Sequence, residues 1–215
     1  MLNNFLRKEN EMATDCVSLI SAGIVPNCND PITKGYEHKG IIINWDDIDF
    51  TATTFSGANT ISDLVLKDGK KAYEIVQRGN TPYTGSTSEL AVGTISNTVT
   101  KNVQFTILNK GPKIAETVID PLFNGKYVVI LENTWKNLSA TQGAKGDSSF
   151  EVFGIKQGMF ATAATRDPYS SDTQGGWQVT MTETESPVAE VYLFKTSYEA
   201  TLAMINSLVN PSSSV

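Results

Sequence analysis

Residues 120–135 read Asp-Pro-Leu-Phe-Asn-Gly-Lys-Tyr-Val-Val-Ile-Leu-Glu-Asn-Thr-Trp, and residues 149–158 read Ser-Phe-Glu-Val-Phe-Gly-Ile-Lys-Gln-Gly. The first stretch is typical of a helix end, a turn and a central strand, because residues 127–131 are apolar on both faces. The second is typical of a strand that returns after a loop. Neither stretch carries a recognisable catalytic group, so the pattern indicates a building element.

The composition is that of a folded protein rich in strands and turns. Of the 215 residues, 40% are hydrophobic and only 19% are charged, and abundant Thr, Ser, Asn and Gly favour strands over helices. The formal net charge of −6 argues against a nonspecific nucleic-acid binder, which needs excess Lys and Arg. We find neither a signal-peptide pattern nor a run of about 18 apolar residues. We therefore expect synthesis in the cytoplasm and no membrane partner.

Hydrophobic periodicity predicts a mainly β fold. Residues 40–45 and 177–182 are expected strands, and residues 89–108 are one long strand or a strand pair with Val99, Val103, Phe105 and Ile107 on the buried face. Residues 188–194 are a further strand. Residues 64–66 and 72–75 flank Lys-Asp-Gly-Lys, which predicts a hairpin because Asp-Gly accepts the positive φ angles of a tight turn.

Two helices are expected beside the strands. Pro112 opens a helix over residues 112–124, in which Pro121 is expected to introduce a kink or an early end. Residues 197–209 carry an apolar stripe preceded by the capping-box spacing of Thr196 and Glu199. The predicted organisation is a flexible leader over residues 1–12, a β domain over residues 13–195, and a C-terminal helix and tail over residues 196–215. Met12 is an alternative start.

Two polar loops cover residues 79–88 and 134–149, and the first is expected to be exposed because residues 79–86 hold almost nothing to bury. Both are rich in turn residues, and residues 137–149 are long enough to be functional or to order only on binding. Deleting residues 137–148 is expected to spare the fold, since the segment has little to bury.

The chain offers little for catalysis, metals or cofactors. His38 is the single histidine, and no nucleophile elbow accompanies it, so a serine or cysteine nucleophile is disfavoured. Cys16 and Cys28 are expected to be reduced thiols. The acidic group Asp46, Asp47 and Asp49 lacks calcium-loop spacing and is expected to be a solvated strand end. Glu183 and Glu185 are expected to be exposed strand positions, not the acid and base of a glycosidase. No cofactor is expected.

Trp45, Trp135 and Trp177 each lie in or beside an apolar strand. Indole rings of this kind stack on sugars or bases in some proteins, but core packing explains most of them. We therefore expect these three side chains to pack in the core.

The order of elements resembles the tail tube and tail-ring proteins of tailed bacteriophages, as in crAss-like phages and related phages of Bacteroides. The resemblance covers about residues 13–195, and its segments are residues 16–49, 64–75, 127–133, 150–158 and 166–182. It implies a tail-tube-like β-sandwich or barrel with a flanking helix, assembled with its own copies into a ring of six or twelve subunits. Such a ring lies in the virion tail, contacts neighbouring tail, portal or connector proteins, and lets DNA pass without binding. The resemblance also implies that loops 79–88 and 134–149 reach adjacent subunits or rings. The interface residues expected on this basis are Tyr83, Trp135, Asn137, Gly143, Lys145 and Asp147.

Two other functions remain open at this stage. One is a β-sandwich binding module, such as a capsid decoration protein or a receptor- or carbohydrate-binding virion protein. The other is a hydrolase with an unrecognised acidic site. A lumen-forming subunit predicts a polar, net-acidic strand face, whereas a binding module predicts exposed aromatic side chains clustered on one surface.

Overall fold

The computed structural model describes residues 20, 22–140 and 143–211. The chain divides into two units, residues 1–31 and 32–215, and the helices and strands described below belong to the second. In the first unit, residues 22–31 form bends and a turn, with the N–H of Asn29 donating to Asn27 Oδ1 (3.1 Å). The predicted leader and Cys16 lie outside the described residues.

The fold is mainly β, as predicted. The strands are β1 Tyr36–Asn44, β2 Thr54–Phe55, β3 Thr60–Asp63, β4 Tyr73–Val76, β5 Thr87–Ala91, β6 Thr98–Ile107, β7 Tyr127–Asn133, β8 Phe150–Phe153, β9 Phe160–Arg166, β10 Trp177–Ser186 and β11 Tyr192–Leu193. The helical segments are a 3₁₀ turn Trp45–Asp47, α1 Pro112–Ile114, a π-helical turn Ala115–Ile119, α2 Asp120–Asn124 and α3 Tyr198–Val209.

The strands form two sheets. The large sheet has the order β2-β3-β11-β8-β7-β1-β4, and the small sheet has the order β5-β6-β10-β9. All pairings are antiparallel except that of β11 with β3. The strand expected at residues 127–131 is β7, which lies inside the large sheet between β8 and β1. Its first five residues are buried, as the apolar run on both faces predicted.

The large sheet is covered on both faces, which gives two cores. Val128 and Ile130 of β7 pack with Met204 and Ile205 of α3 in the helix-side core. The alternate residues of β7, such as Val129, pack in the inter-sheet core against Val103, Val179 and Met181 of the small sheet. Alternation along one strand therefore places its side chains in two different layers.

The helix expected over residues 112–124 is present, but Pro121 does not end it. A proline has no N–H to donate, and its ring crowds the carbonyl one turn earlier. The π turn Ala115–Ile119 lies directly before this region and changes the winding there, as single π turns do. The helix continues as α2 to Asn124, so the predicted early end is wrong, and Leu122 reaches the inter-sheet core.

Helix α3 confirms the predicted C-terminal helix. The N-cap is Ser197, whose Oγ accepts from the N–H of Ala200 (3.2 Å), so the cap lies one residue later than the spacing of Thr196 and Glu199 suggests. Met204, Ile205 and Leu208 bury one face of the helix in the helix-side core. The helix therefore covers the large sheet and is packed as part of the same layer structure.

The hairpin predicted across residues 64–75 is wrong. Its turn is present, with the N–H of Lys70 donating to the Lys67 carbonyl (3.0 Å) and Gly69 at φ 72°. However, β4 pairs with β1, and β3 pairs with β2 and β11. A tight turn reverses the chain without deciding which strands become neighbours. The strand expected at residues 188–194 is also shorter, since only Tyr192–Leu193 forms β11.

Candidate functional site

The outward side of the small sheet carries almost no charge. Because Val103, Phe105, Val179 and Met181 point into the inter-sheet core, the alternate positions point away from it. We call these outward positions of the four strands the polar face. Glu89 is the only charged residue among them: Thr87, Glu89, Ala91, Thr98, Thr100, Asn102, Gln104, Thr106, Phe160, Thr162, Ala163, Thr165, Gln178, Thr180 and Thr182.

A ladder of side-chain hydrogen bonds crosses the polar face from one edge to the other. Asn102 Nδ2 donates to Thr87 Oγ1 (3.1 Å), and Asn102 Oδ1 accepts from Thr182 Oγ1 (2.7 Å). The hydroxyls of Thr182 and Thr162 are 2.7 Å apart. One neighbouring rung joins Gln104 Nε2 to Thr180 Oγ1 (3.2 Å). Cross-strand pairs of this kind hold the side chains in register.

Both edges of the small sheet are open within the described chain. β5 pairs only with β6, and β9 pairs only with β10. Leu90 at the β5 edge is 66% exposed, and the loop that follows exposes Val92 and Ile95. An open edge presents unpaired backbone N–H and C=O groups and is a template for pairing with another chain.

An ion pair is buried on the inward side of the same two strands. Lys101 of β6 lies directly opposite Glu183 of β10, each side chain is 1% exposed, and Nζ lies 3.5 Å from Glu183 Oε2. The expectation that Glu183 is an exposed strand position is therefore wrong, whereas Glu185 is exposed in the bulge that follows. Alternation places Glu183 inward after Val179 and Met181, and the partner Lys101 compensates its charge.

Glu183 also holds the turn that connects the two sheets. Its Oε2 accepts from the N–H of Gly154 (3.0 Å), and its Oε1 accepts from the N–H of Gln157 (3.0 Å). These residues follow β8 of the large sheet and precede β9 of the small sheet. The carboxylate is thus satisfied by two backbone donors, whereas Lys101 Nζ finds no hydrogen-bond acceptor within the described part of the chain.

A second carboxyl group, Glu151 of β8, is buried between the sheets at 8% exposure. Its Oε2 accepts from the Tyr36 hydroxyl (2.8 Å), and Tyr192 lies opposite it across the strand pair. Burial raises the pKa of the Glu151 carboxyl to about 7, while the Tyr36 hydrogen bond and the Lys101 charge act in the opposite direction. Periodicity gave no signal for this group, because it stands in an apolar strand.

The second loop holds five of the predicted interface residues, and one of them, Asn137, is buried. Asn137 is 1% exposed, and its Nδ2 donates to Asp147 Oδ1 (2.8 Å). Asp147 Oδ2 accepts from the N–H of Ala144 (2.9 Å), and a Cβ on Gly143 would lie 2.0 Å from that oxygen. Lys145 is exposed and Trp135 is half-buried. Among the described residues of 137–148, Asn137 and Gly146 are buried, and residues 138–140 and 143–145 are exposed.

Tyr83 lies away from the solvent. Its side chain is 3% exposed in the inter-sheet core, 6.3 Å edge-on from the Tyr36 ring, and its hydroxyl donates to the Ile75 carbonyl (3.0 Å). The surrounding loop was expected to bury almost nothing. A positive φ of 58° at Tyr83 turns the side chain inward, which composition alone does not reveal.

An aromatic cluster surrounds Lys126 at one end of the small sheet. Lys126 Nζ lies 3.9 Å from the centre of the Trp45 ring and 5.9 Å from that of Phe160. The rings of Trp45 and Phe50 are 4.9 Å apart, and Phe50 and Phe160 are 42% and 49% exposed. Trp45 and Trp177 pack against the two cores, as expected, but Trp45 also lines this surface cluster.

A groove of about 980 Å³ lies between β4, the end of β6 and the helix at residues 112–124. Gln77 closes one side, because its Nε2 donates to the Thr106 carbonyl (3.1 Å) and its Oε1 accepts from the Thr106 N–H (2.8 Å). The lining is largely apolar, with Ile75 and Ile107 among its residues. Polar and charged residues, among them Glu74 and Arg78, also line the groove, and its shape suits an extended chain or a small ligand.

The other candidate residues serve local structure. Asp47 pairs with Lys70 (3.0 Å) and accepts from Asn44 Nδ2 (2.8 Å), and Asp49 accepts from the N–H of Thr51 (2.9 Å). His38 Nδ1 lies 3.1 Å from the Gln77 carbonyl, and Cys28 is an exposed free thiol. Among the described residues, no group of three or more His, Cys, Asp or Glu is placed to hold a metal ion.

Comparison with protein-family models, curated proteins and solved structures finds no match to this chain. Within residues 20, 22–140 and 143–211, no helix has the length and apolarity to cross a membrane.

Proposed function

We propose that this chain is a structural virion protein that forms a ring or tube in a phage tail and lines the channel for genome ejection. The observation that carries the proposal is the polar face, which spans four strands with Glu89 as its single charge. A channel wall for DNA must be wet yet hold no phosphate. Hydroxyl and amide groups satisfy the first requirement, and the absence of Lys and Arg among these positions satisfies the second.

The open edges of the small sheet supply a route to assembly. The β5 edge of one copy would pair with the β9 edge of the next, which continues the polar face around a ring of six or twelve copies. Such a head-to-tail contact is heterologous, and it closes only when the rotation between copies divides a full turn. The exposed Leu90 beside the β5 edge would be covered by the neighbour.

The first test is the size and shape of the purified chain. Native mass spectrometry and electron microscopy are expected to give rings or stacked tubes with an axial channel, together with loss of monomer as concentration rises. A chain that stays monomeric at high concentration would contradict the proposal. Virion location and contacts with tail, portal or connector proteins are tested by labelling the chain in assembled particles.

The second test introduces positive charge on the polar face. Gln178→Lys and Thr180→Lys are expected to make assembled particles retain double-stranded DNA at low salt and release it as salt rises, because each lysine recruits phosphate. Ser171→Lys, in an exposed turn, is the matched control and should leave DNA unbound. Equal retention by all three variants would place the polar face outside the channel.

The aromatic cluster around Lys126 favours a second candidate, a carbohydrate- or receptor-binding virion module. Partly exposed Phe50 and Phe160 beside Trp45 form the type of surface on which sugar rings stack. Titration calorimetry against host glycans tests it. Binding that Phe50→Ala abolishes, by a chain that remains monomeric, would favour this candidate over the channel subunit.

A further inference from the structure

The pair Lys101 and Glu183 has features that an ordinary buried salt bridge lacks. A buried ion pair is normally compensated by hydrogen bonds to both partners, since desolvation costs several kcal/mol per ion. Here the compensation is one-sided: Glu183 accepts two backbone N–H groups, and Lys101 Nζ makes no hydrogen bond to a described residue. Nζ nevertheless lies 3.5 Å from Glu183 Oε2, so the amine and the carboxyl group to which it would bond are neighbours in a buried site.

The two backbone N–H groups are placed where an acyl-transfer reaction needs them. Each oxygen of the Glu183 carboxyl accepts one of them at 3.0 Å, from Gly154 and Gln157. Donors fixed in a buried site polarise the C=O bond and stabilise the oxyanion that forms when a nucleophile adds to the carbon. Because the donors belong to the turn between β8 and β9, the fold positions them before any reaction starts.

A proton-transfer group lies in the same buried layer. Glu151 is 8% exposed on the facing strand β8, and the charge of Lys101 acts on its carboxyl. Burial raises the pKa of Glu151 to about 7, so at neutral pH the group both accepts and donates protons, as general acid–base catalysis requires. Tyr36 holds this carboxyl in place through its hydroxyl (2.8 Å).

We propose that Lys101 and Glu183 form an intramolecular isopeptide bond that joins β6 to β10 covalently. In the first step a proton moves from the lysine ammonium to the glutamate carboxylate. The Nζ lone pair then adds to Cδ of Glu183. Glu151 lies beyond hydrogen-bond distance of Nζ, so it carries a proton from nitrogen to the departing hydroxyl through one bridging water. One C–N bond forms, one C–O bond breaks and one water leaves. No oxidant, metal or cofactor enters the balance.

The protein contains its own negative control. Lys136 Nζ lies 3.4 Å from Glu132 Oε1, about as near as the buried pair, but the two side chains are 15% and 18% exposed and Glu37 Oε1 competes at 2.8 Å. Water and a competing carboxylate keep this pair ionic. The reaction should therefore occur at Lys101 and not at Lys136, although both lysines are close to a glutamate.

The test is the mass of the full-length chain, folded at neutral pH and then denatured for mass spectrometry. The expected mass is lower than that of the sequence by one water molecule. Proteolysis is expected to yield a branched peptide in which Lys101 is attached to Glu183. A folded chain with the unchanged mass after prolonged incubation overturns the proposal, and so does a branch at another lysine.

Variants separate this reaction from other losses of water. Lys101→Arg keeps the positive charge but not the amine, and the cross-linked fraction should fall from most of the protein to none. Lys136→Arg should leave the mass deficit unchanged. Glu151→Gln is expected to slow cross-linking by about a hundredfold or more and to flatten its dependence on pH. A mass deficit that persists in Lys101→Arg overturns the proposal. The mass of the wild-type chain decides the question even if a variant fails to fold.

This inference is independent of the proposed channel. A covalent rung between the two central strands would strengthen the small sheet in any assembly that bears mechanical load. Failure to find rings would leave the isopeptide bond untouched, and an unchanged mass would leave the ring proposal untouched.

Discussion

The two faces of the small sheet reverse the usual placement of charge. In most antiparallel sheets with one solvated face, charged residues point outward and apolar residues inward. In β6 and β10, Lys101 and Glu183 point inward at 1% exposure, while the outward positions are Thr, Asn and Gln. Solubility alone would favour the opposite order. We infer from this comparison that the outward face is kept uncharged for a reason other than solubility. We also infer that the buried pair of Lys101 and Glu183 has a role that offsets the free-energy cost of removing two charges from water.

The largest expected effect comes from breaking the inward pair on one side only. Glu183→Ala leaves the Lys101 ammonium buried without its counter-ion and also removes the acceptor for Gly154 and Gln157. The double variant Lys101→Met/Glu183→Leu buries no charge. We expect the single variant to be less stable than the double by about 3–5 kcal/mol, measured by urea unfolding. Neither variant can form the covalent bond, so the difference reports the unpaired charge and the lost acceptor.

A partly exposed pair provides the control. In Glu37→Ala, Lys136 loses a partner at 2.8 Å but keeps Glu132 at 3.4 Å, and the expected loss is about 0–1 kcal/mol. Equal losses in Glu37→Ala and Glu183→Ala would show that burial is not what makes the inward pair costly to break.

The second effect is a pH dependence that originates at Glu151. Its pKa is about 7 in the folded chain against an ordinary value of 4.5, so the folded state binds the proton more tightly than the unfolded state. The free energy of unfolding therefore falls as pH rises from about 4.5 to about 7, by about 3 kcal/mol in total. The facing hydroxyls of Tyr36 and Tyr192 have pKa values raised by burial and do not lose their protons in this range.

Glu151→Gln is expected to remove most of this slope. The amide resembles the protonated acid and can still accept from the Tyr36 hydroxyl. Urea unfolding at about pH 5 and about pH 8 measures the slope, which is the quantity to compare, because a constant offset includes packing changes. Wild-type and variant curves that run parallel would show that Glu151 titrates as an ordinary carboxyl.

The third effect concerns the loop predicted to be dispensable. Asp147 accepts from Asn137 Nδ2, the Ala144 N–H and the Ser148 hydroxyl. Asp147→Ala removes all three of these acceptor contacts, including the one to the buried Asn137 side chain, and we expect a loss of about 1–3 kcal/mol. Lys145→Ala, two residues away and exposed, should change stability by less than about 0.5 kcal/mol. Hydrogen exchange that is equally fast in wild type and Asp147→Ala would show that this loop is not ordered by Asp147.

Several elements could be predicted from the sequence because local signals and tertiary structure agree. The alternation of residues 177–182 reappears as β10, the apolar run of residues 127–131 as the centre of β7, and the stripe after residue 197 as α3. The same alternation places Lys101 between Val99 and Val103 on the inward face. A charged residue such as lysine is ordinarily expected to face solvent. Only the pairing register of β6 with β10 shows that Lys101 lies opposite the carboxylate of Glu183.

The remaining features depend on contacts between distant residues. Glu151 meets Tyr36 across 115 residues, and composition assigned residues 137–149 to an exposed loop because Asn, Gly, Ser and Asp are typical of both open and internally bonded loops. The hairpin at residues 64–75 failed for a related reason. Its turn is a local feature that the sequence reveals. The strand that pairs with β4 is β1, which lies about 30 residues earlier in the chain, and not the segment directly before the turn.

The smallest loss of stability is expected for a substitution on the polar face. It compares the outward face directly with the buried ion pair on the inward face. Asn102→Ala removes two hydrogen bonds, to Thr87 Oγ1 and from Thr182 Oγ1. Water can replace the exposed bond to Thr87, and the buried Thr182 hydroxyl keeps Thr162 as a partner, so the expected loss is about 0.5–1.5 kcal/mol by urea unfolding. Thr165→Ala on the same face is the control and should cost less.

If the hydrogen-bond ladder across the polar face mainly stabilises the fold, Asn102→Ala will lower the free energy of unfolding as much as breaking the Lys101–Glu183 pair does. If it exists to present a neutral, ordered wall, the cost will be small, while Asn102→Lys will change DNA retention in assembled particles as strongly as Thr180→Lys. The two quantities are measured on the same side-chain position. A variant that lowers stability greatly and leaves DNA retention unchanged would therefore remove the main argument for a channel-lining face.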